Sequence, residues 1–194
     1  MRATIKTENT LAKGQKMLSI VTSPNPVLNG VCEPCDLNDK QLKRMAKQMT
    51  RLMYKFSGCG LAAPQVGVLK RLVVIDCDQD DTKAKNPIVM INPQIVETWG
   101  QIKEEKEGCL SIPGISIPIA RHEFACCRYF DFEGQEWEIE GDGLLGRCLQ
   151  HECEHLDGKT MFEACSPAAR LKALDDYEIA LANGAKVGDT GKSE

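Results

Sequence analysis

Residues 143–158 have the sequence GLLGRCLQHECEHLDG, the most informative segment of this 194-residue chain. Asp142 precedes the segment as a suitable N-cap, and Gly158 ends it as a typical helix terminator. The apolar residues between them fall on more than one side of a helix; they are Leu144, Leu145, Leu149, Cys153 and Leu156. The spacing therefore predicts a buried helix from about residue 143 to 156.

The centre of this helix is His151-Glu152-Cys153-Glu154-His155. Residues four apart in a helix differ by about 40° in direction, so both imidazoles lie on one face and can chelate one metal ion. Glu152 is rotated by about 100° from His151, which lets its carboxylate reach a metal-bound water as a general base. The alternative is a solvated helix with two incidental histidines. This alternative is disfavoured because two of the three histidines of the chain lie in this segment, and because the helix that carries them is predicted to be buried.

A catalytic metal ion needs a third protein ligand and an open position. His122 is one candidate, although it lies where a strand is predicted to begin and also fits a surface histidine. Cys109 is the better candidate, because Gly108 before it allows close backbone approach and a metal ion stabilises a thiolate. Taken alone, Cys109 would be interpreted as a buried thiol.

A third segment, residues 58–67, has the sequence GCGLAAPQVG. Its small residues leave backbone groups open to a ligand, and the amide of Gln65 projects among them. An amide in this setting suggests a hydrogen-bond donor to an oxyanion. By itself the segment is also typical of a plain turn.

Together the three segments resemble the peptide deformylase family. Its motifs are G-apolar-G-apolar-A-A-x-Q, E-G-C-L-S and Q-H-E-x-x-H-L-x-G, and they match residues 58–65, 107–111 and 150–158 in that order. The resemblance extends from about residue 17 to the last helix. Two positions depart from the family pattern: Cys59 stands where an aliphatic residue is common, and Glu154 where an aspartate is usual.

The resemblance implies a role for each matched residue. Cys109, His151 and His155 would hold the metal, and Glu152 would act as general base and then acid. The remaining site residues fall into two groups. Oxyanion stabilisation is implied for the Gln65 side chain and the Leu110 backbone N–H, and contact with the substrate backbone for Cys59, Gly60 and Gly108.

The implied reaction is hydrolysis of the N-formyl group of formyl-methionyl nascent chains by a metal-bound water, with release of formate. The implied cofactor is one divalent metal ion, Fe(II) in the cell, with Zn, Ni or Co able to substitute. Association with the ribosome is a further expectation from the family. No sequence-specific nucleic acid and no membrane are expected as partners.

The rest of the chain predicts an α+β fold of the peptide deformylase type, with antiparallel sheets around the central HExxH helix and a C-terminal helix. A helix is predicted after Asn38 or Asp39, either of which can be its N-cap, and it stops at Gly58. Its apolar residues recur at steps of three or four: Leu42, Met45, Ala46, Met49, Leu52, Met53 and Phe56. A last helix runs from Ser166-Pro167 to Asn183, and the residues expected to face inward are Leu171, Leu174, Tyr177 and Leu181. Strands are predicted at four places: 71–76, 88–97, 122–132 and 135–140. We expect a flexible extension at 1–16, one catalytic domain at 17–183 and a disordered tail at 184–194.

Composition excludes several classes of protein. The 24 basic and 28 acidic residues give a net charge of −4, which disfavours binding to a nucleic acid backbone. No apolar stretch approaches the length that spans a bilayer, and the N-terminus lacks the apolar core of a secretory signal. We therefore expect a cytoplasmic location and reduced thiols for the ten cysteines. The pair Cys32-x-x-Cys35 is interpreted as an incidental loop feature rather than a zinc or redox site.

Two alternatives differ in class from a deformylase. A zinc metallopeptidase would use the same histidines with an acidic third ligand such as Asp157 or Glu163, and would leave Cys109 and Gln65 without roles. A binding module would hold its metal as a structural ion, or would keep the fold without activity; a fourth non-water ligand would support this alternative.

Overall fold

The structure of the chain, a computed structural model, describes residues 17–78, 84–189 and 191. The predicted extension at 1–16 lies outside these residues. In the described part, one α-helix precedes a run of five strands and three α-helices follow it, which confirms the α+β class. The helices are α1 (Gln41–Lys55), α2 (Gly143–Leu156), α3 (Met161–Ala164) and α4 (Pro167–Ala182). The strands are β1 (Gly60–Ala62), β2 (Leu72–Ile75), β3 (Ile88–Cys109), β4 (Ile112–Phe130) and β5 (Glu136–Gly141).

The five strands form one antiparallel sheet in chain order, β1-β2-β3-β4-β5. Strands β3 and β4 are much longer than predicted, and pair as a hairpin that ends at Cys109 and Ile112. The prediction missed the outer half of β3 because residues 101–106 are all exposed and lack apolar alternation. Pairing with β4 stabilises this half, since Ile115, Ile117 and Ile119 alternate inward.

Helix α2 packs against the sheet, as the apolar pattern predicted. Leu149 and Leu156 are fully buried in a core that includes Val73, Ile75 and Met90 from β2 and β3. Burying one leucine of this kind contributes about 1.5–3 kcal/mol. The predicted N-cap position of Asp142 is confirmed, although its side chain makes no capping hydrogen bond.

Helix α1 buries the face that its periodicity predicted, with Met49 and Met53 fully enclosed. The predicted N-cap is wrong by one residue, because Lys40 occupies the cap position and has helical dihedral angles. Asp39 still contributes, since its Oδ1 accepts a hydrogen bond from the backbone N–H of Gln41 at 2.9 Å.

Helix α4 begins as predicted, with the Ser166 hydroxyl accepting from the N–H of Ala169 at 3.2 Å. Its inward face differs from the prediction of Leu171, Leu174, Tyr177 and Leu181. The three leucines are exposed, whereas Tyr177 and Ala173 are buried. Only a narrow stripe of α4 contacts β4. Residues 173 and 177 lie on this stripe because they are one helical turn apart.

The tail after α4 contacts the β3–β4 hairpin where the structure describes it. Gly114 donates a backbone hydrogen bond to the carbonyl of Asp189 at 2.9 Å, a contact that the expectation of a disordered tail did not include. A helix both long enough and apolar enough to cross a membrane is absent from the described residues.

Candidate active site

The strand end at Cys109 meets one face of α2, which brings together the three predicted metal ligands. Cys109 Sγ lies 3.3 Å from His155 Nε2, and one donor atom from each of Cys109, His151 and His155 lies within 4.8 Å of the others. His122, the other candidate, is not part of this group. It lies on β4, where its backbone carbonyl accepts from Gln150.

The chemistry of this donor set fits a divalent transition metal. One thiolate and two imidazoles are ligands that such ions accept. His151 Nδ1 lies 3.0 Å from Glu107 Oε2, which leaves its Nε2 for a metal. Burial lowers the pKa of His155 well below its usual value, so this imidazole is neutral, as a metal ligand must be.

Glu152 is a buried carboxylate beside the metal-binding group. It is 5% exposed, and its Oε2 has no hydrogen-bond partner among the described residues. Burial raises the pKa of Glu152 to about 7. A carboxyl group with a pKa near neutrality can both accept and return a proton.

Gln65 lies in a single turn of 3₁₀ helix, Ala63–Val66, directly after β1. Its Oε1 accepts a hydrogen bond from the N–H of Ala62 at 2.8 Å, which fixes the orientation of the amide. The amide nitrogen consequently points to Cys109, with Nε2 3.3 Å from Sγ. Gln65 thus presents an N–H donor beside the metal-binding group.

These side chains border one cavity of about 400 Å³. Every predicted site residue except His155 lines it: Cys59, Gly60, Gln65, Gly108, Cys109, Leu110, His151 and Glu152. Gly188 and Asp189 of the tail also line the cavity, which the sequence did not indicate. Three segments that are distant in the chain therefore form a single pocket that contains residues of the metal-binding group.

A profile of the polypeptide deformylase family matches residues 17–171, which is most of the chain. The chain belongs to this family. It is therefore an enzyme of the peptide deformylase type, a hydrolase. The match spans all three motifs on which the resemblance rested.

Individual peptide deformylases are similar over nearly the same range. The enzyme from Bartonella quintana is 41% identical over 82% of this chain and 90% of its own. A crystal structure of a peptide deformylase from Legionella pneumophila is 37% identical, with a TM-score of 0.78 over 87% of this chain and 97% of that chain. One from Synechococcus elongatus in complex with actinonin is 36% identical, with a TM-score of 0.75 over 86% of each chain. The predicted peptide deformylase fold is confirmed.

Behind the metal-binding group of this peptide deformylase lies an ion-pair network that the sequence analysis missed. Arg121, buried on β4, donates to Glu107 from Nε at 2.6 Å and Nη2 at 2.9 Å. The same Nη2 lies 3.0 Å from Glu154 Oε2, and Arg147 Nη2 lies 2.8 Å from Glu107 Oε1. Glu154, noted only as a departure from the family pattern, thus pairs with Arg121. The position of Glu107 inside the E-G-C-L-S motif was the signal that could have revealed the network.

The metallopeptidase alternative is not supported by these contacts. Its two acidic candidates are engaged away from the peptide deformylase site. Asp157 pairs with Arg71 at 2.7 Å, and Glu163 pairs with Arg170 at 3.2 Å. Membership of an enzyme family likewise argues against the binding-module alternative.

Proposed function

We propose that this chain hydrolyses the formamide of N-terminal formyl-methionine in newly synthesised proteins, releasing formate and a free amino terminus. One observation carries the proposal. In a chain of the peptide deformylase family, a group of one thiol and two imidazoles lies at a cavity that a buried carboxylate and an amide donor also line. The reaction belongs to N-terminal processing in protein biosynthesis.

Cys109, His151 and His155 would hold one divalent metal ion, for which we propose Fe(II), with Zn, Ni or Co as substitutes. When bound, the metal supplies a Lewis acid and lowers the pKa of a water ligand to about 7. Glu107 supports this donor set by accepting a hydrogen bond from the Nδ1–H of His151. This hydrogen bond selects the tautomer whose Nε2 carries a free lone pair for the metal.

Glu152 is the proposed general base and acid. Its carboxylate accepts a proton from the attacking water and later donates that proton to the nitrogen of the departing amine. The unpartnered Oε2 and the pKa of about 7 support both steps. Because Glu152 follows His151 on α2, helix geometry keeps it close to the metal-binding face without making it a ligand.

Gln65 and Leu110 are the proposed oxyanion donors. As water adds to the formyl carbon, negative charge develops on the formyl oxygen, and hydrogen-bond donors fixed in advance stabilise it. The hydrogen bond from Ala62 to Gln65 Oε1 keeps the amide nitrogen turned toward the cavity. The backbone N–H of Leu110, which lies just after Cys109, is the second proposed donor.

The peptide backbone of the substrate would pair with β1. This strand lies at one end of the sheet order and pairs only with β2 among the described strands. Cys59, Gly60 and Gly108 line the cavity and would offer backbone groups to an extended peptide. Since the proposed substrate is a nascent chain, we propose action in the cytoplasm and association with the ribosome.

Formate release from a formyl-Met-Ala-Ser peptide tests the proposal. The wild type, prepared anaerobically with Fe(II) or with Ni(II), is compared with Glu152→Ala, and metal content is measured for both. We expect release by the wild type, and loss of turnover with retained metal in the variant. A folded, fully metallated wild type that releases no formate would refute the proposed function.

A further inference from the structure

A second group of potential metal ligands lies beside the cavity, and it consists of three thiols. The Sγ atoms of Cys59, Cys77 and Cys148 all lie within 4.8 Å of one another. Cys59 directly precedes β1, Cys77 follows β2, and Cys148 lies on α2. We refer to these three residues as the thiol triad.

Backbone pairing holds the thiol triad together. Asp76 donates its N–H to the carbonyl of Cys59 at 2.8 Å, which continues the pairing of β1 with β2 and sets Cys77 beside Cys59. The thiol of Cys148 approaches the same carbonyl from α2 at 3.8 Å, and that of Cys77 approaches it at 4.0 Å. The three sulfur atoms therefore come together from three separate segments of the chain.

The thiol triad differs from an ordinary cluster of core cysteines. Cys148 packs within the same core as Cys127 and Cys153, where buried thiols act as small apolar side chains. Cys59 and Cys148, however, also line the cavity, so this cluster borders a space from which an ion can approach. Hydrogen bonds from the thiols of Cys148 and Cys77 also lower the pKa of Cys59.

We propose that Cys59, Cys77 and Cys148 form a second metal site, which binds one thiophilic ion of the zinc class with water from the cavity as the fourth ligand. Three protein ligands and one water are a usual set for an accessible zinc site. Zn–S bonds of about 2.3 Å require sulfur atoms about 3.8 Å apart, which small side-chain rotations provide here. Each thiol that binds the ion releases its proton to solvent.

The second site lies next to the general base of the proposed reaction. A Cβ on Gly60 would collide with Glu152 Oε1 and lie 2.8 Å from Cys148 Sγ, so this carboxylate and this thiol pack against the same glycine. An ion on the thiol triad would accept an oxygen of the Glu152 carboxylate as its fourth ligand in place of water, and so hold the carboxylate away from substrate. This consequence rests on the proposed function: excess zinc should inhibit deformylation through the triad.

Cadmium titration of metal-free, fully reduced protein under anaerobic conditions tests the second site directly. Cd²⁺ prefers thiolates, and its charge-transfer absorption with them counts the equivalents bound. We expect two equivalents for the wild type: one at Cys109, His151 and His155, and one at the thiol triad. Cys77→Ser should bind one equivalent, which also shows that the variant is folded at the other site. Cys165→Ser, which removes a partly buried thiol elsewhere, is the matched control and should bind two.

A wild type that binds one equivalent would overturn the proposal, and so would a Cys77→Ser variant that binds two. The inhibitory consequence is tested separately, by adding Zn²⁺ to the nickel-loaded enzyme. The rate of formate release by each protein is compared with the rate of the same protein before zinc is added. We expect the rate to fall at least tenfold for the wild type and to stay unchanged for Cys77→Ser. If the proposed function itself fails, no rate is seen at any zinc concentration, and the cadmium stoichiometry still decides whether the second site exists.

Discussion

Replacing Glu107 with glutamine tests the network behind His151. The carboxylate lies 2.6 Å from Arg121 Nε, 2.8 Å from Arg147 Nη2 and 3.0 Å from His151 Nδ1. Glutamine has nearly the same shape, but it is neutral and turns an NH₂ group toward partners that are themselves donors. We therefore expect the variant to lose both conformational stability and metal affinity.

The two losses have different sizes and different causes. Arg121 is 3% exposed, and removing one partner of a buried ion pair costs about 3–5 kcal/mol. Because Arg121 keeps its contact with Glu154, we expect the free energy of unfolding to fall by about 3 kcal/mol, the lower end of that range. His151 loses the anionic partner of Nδ1, and the loss of such a partner weakens metal binding by about 10–100-fold.

Glu105→Gln is the matched control, since it neutralises a carboxylate two residues away on the same strand. Glu105 Oε2 lies 3.7 Å from Arg147 Nε and its side chain is 58% exposed, so its pair contributes about 0–1 kcal/mol. Urea unfolding of the metal-free proteins gives the stabilities, and competition with a chromophoric chelator gives the metal affinities. If Glu107→Gln changes neither quantity more than Glu105→Gln does, the argument for the network is wrong.

Further predictions concern the cavity and the core. Gln65→Leu should lower kcat for formate release by about 10²–10³-fold with metal content unchanged, since it removes one oxyanion donor; an unchanged kcat would exclude that role. Gly60→Ala should push Glu152 aside and lower turnover by about tenfold or more, while chelator competition still finds full metal binding. Removing residues 184–194 should raise KM for formyl-methionyl peptides, because Gly188 and Asp189 line the cavity; an equal KM would mean that the tail does not contact substrate. In thermal and urea unfolding, Leu149→Ala should cost about 2–5 kcal/mol and Leu171→Ala less than about 0.5 kcal/mol, because Leu149 is buried and Leu171 is 71% exposed.

The helices were predictable because their signals are local. Apolar spacing defined the buried faces of α1 and α2, and the Ser166-Pro167 pair identified the start of α4. The burial of α4 was not predictable in the same way. Apolar residues lie on several sides of that helix, and only the position of β4 decides that Ala173 and Tyr177 face inward while Leu171 faces solvent.

The length of the β3–β4 hairpin shows a second limit. Residues 101–106 carry four charged side chains and no apolar alternation, so local sequence does not predict a strand there. They are extended because β4 offers a long row of backbone partners. The hairpin matters to the site, since its end is where Cys109 reaches α2.

The sequence alone determined the relative positions of the two histidines and the carboxylate of the candidate site. Helix geometry relates residues 151, 152 and 155 without any other element. Its ordered motifs also identified the family and nominated Cys109 and Gln65. Only the tertiary structure decided which residues from these distant segments contact one another. The contact of Glu107 with His151 spans 44 positions, and that of Cys59 with Cys148 spans 89, so neither is visible in local spacing. These contacts depend on how one face of α2 packs on the strand ends, which the whole core determines.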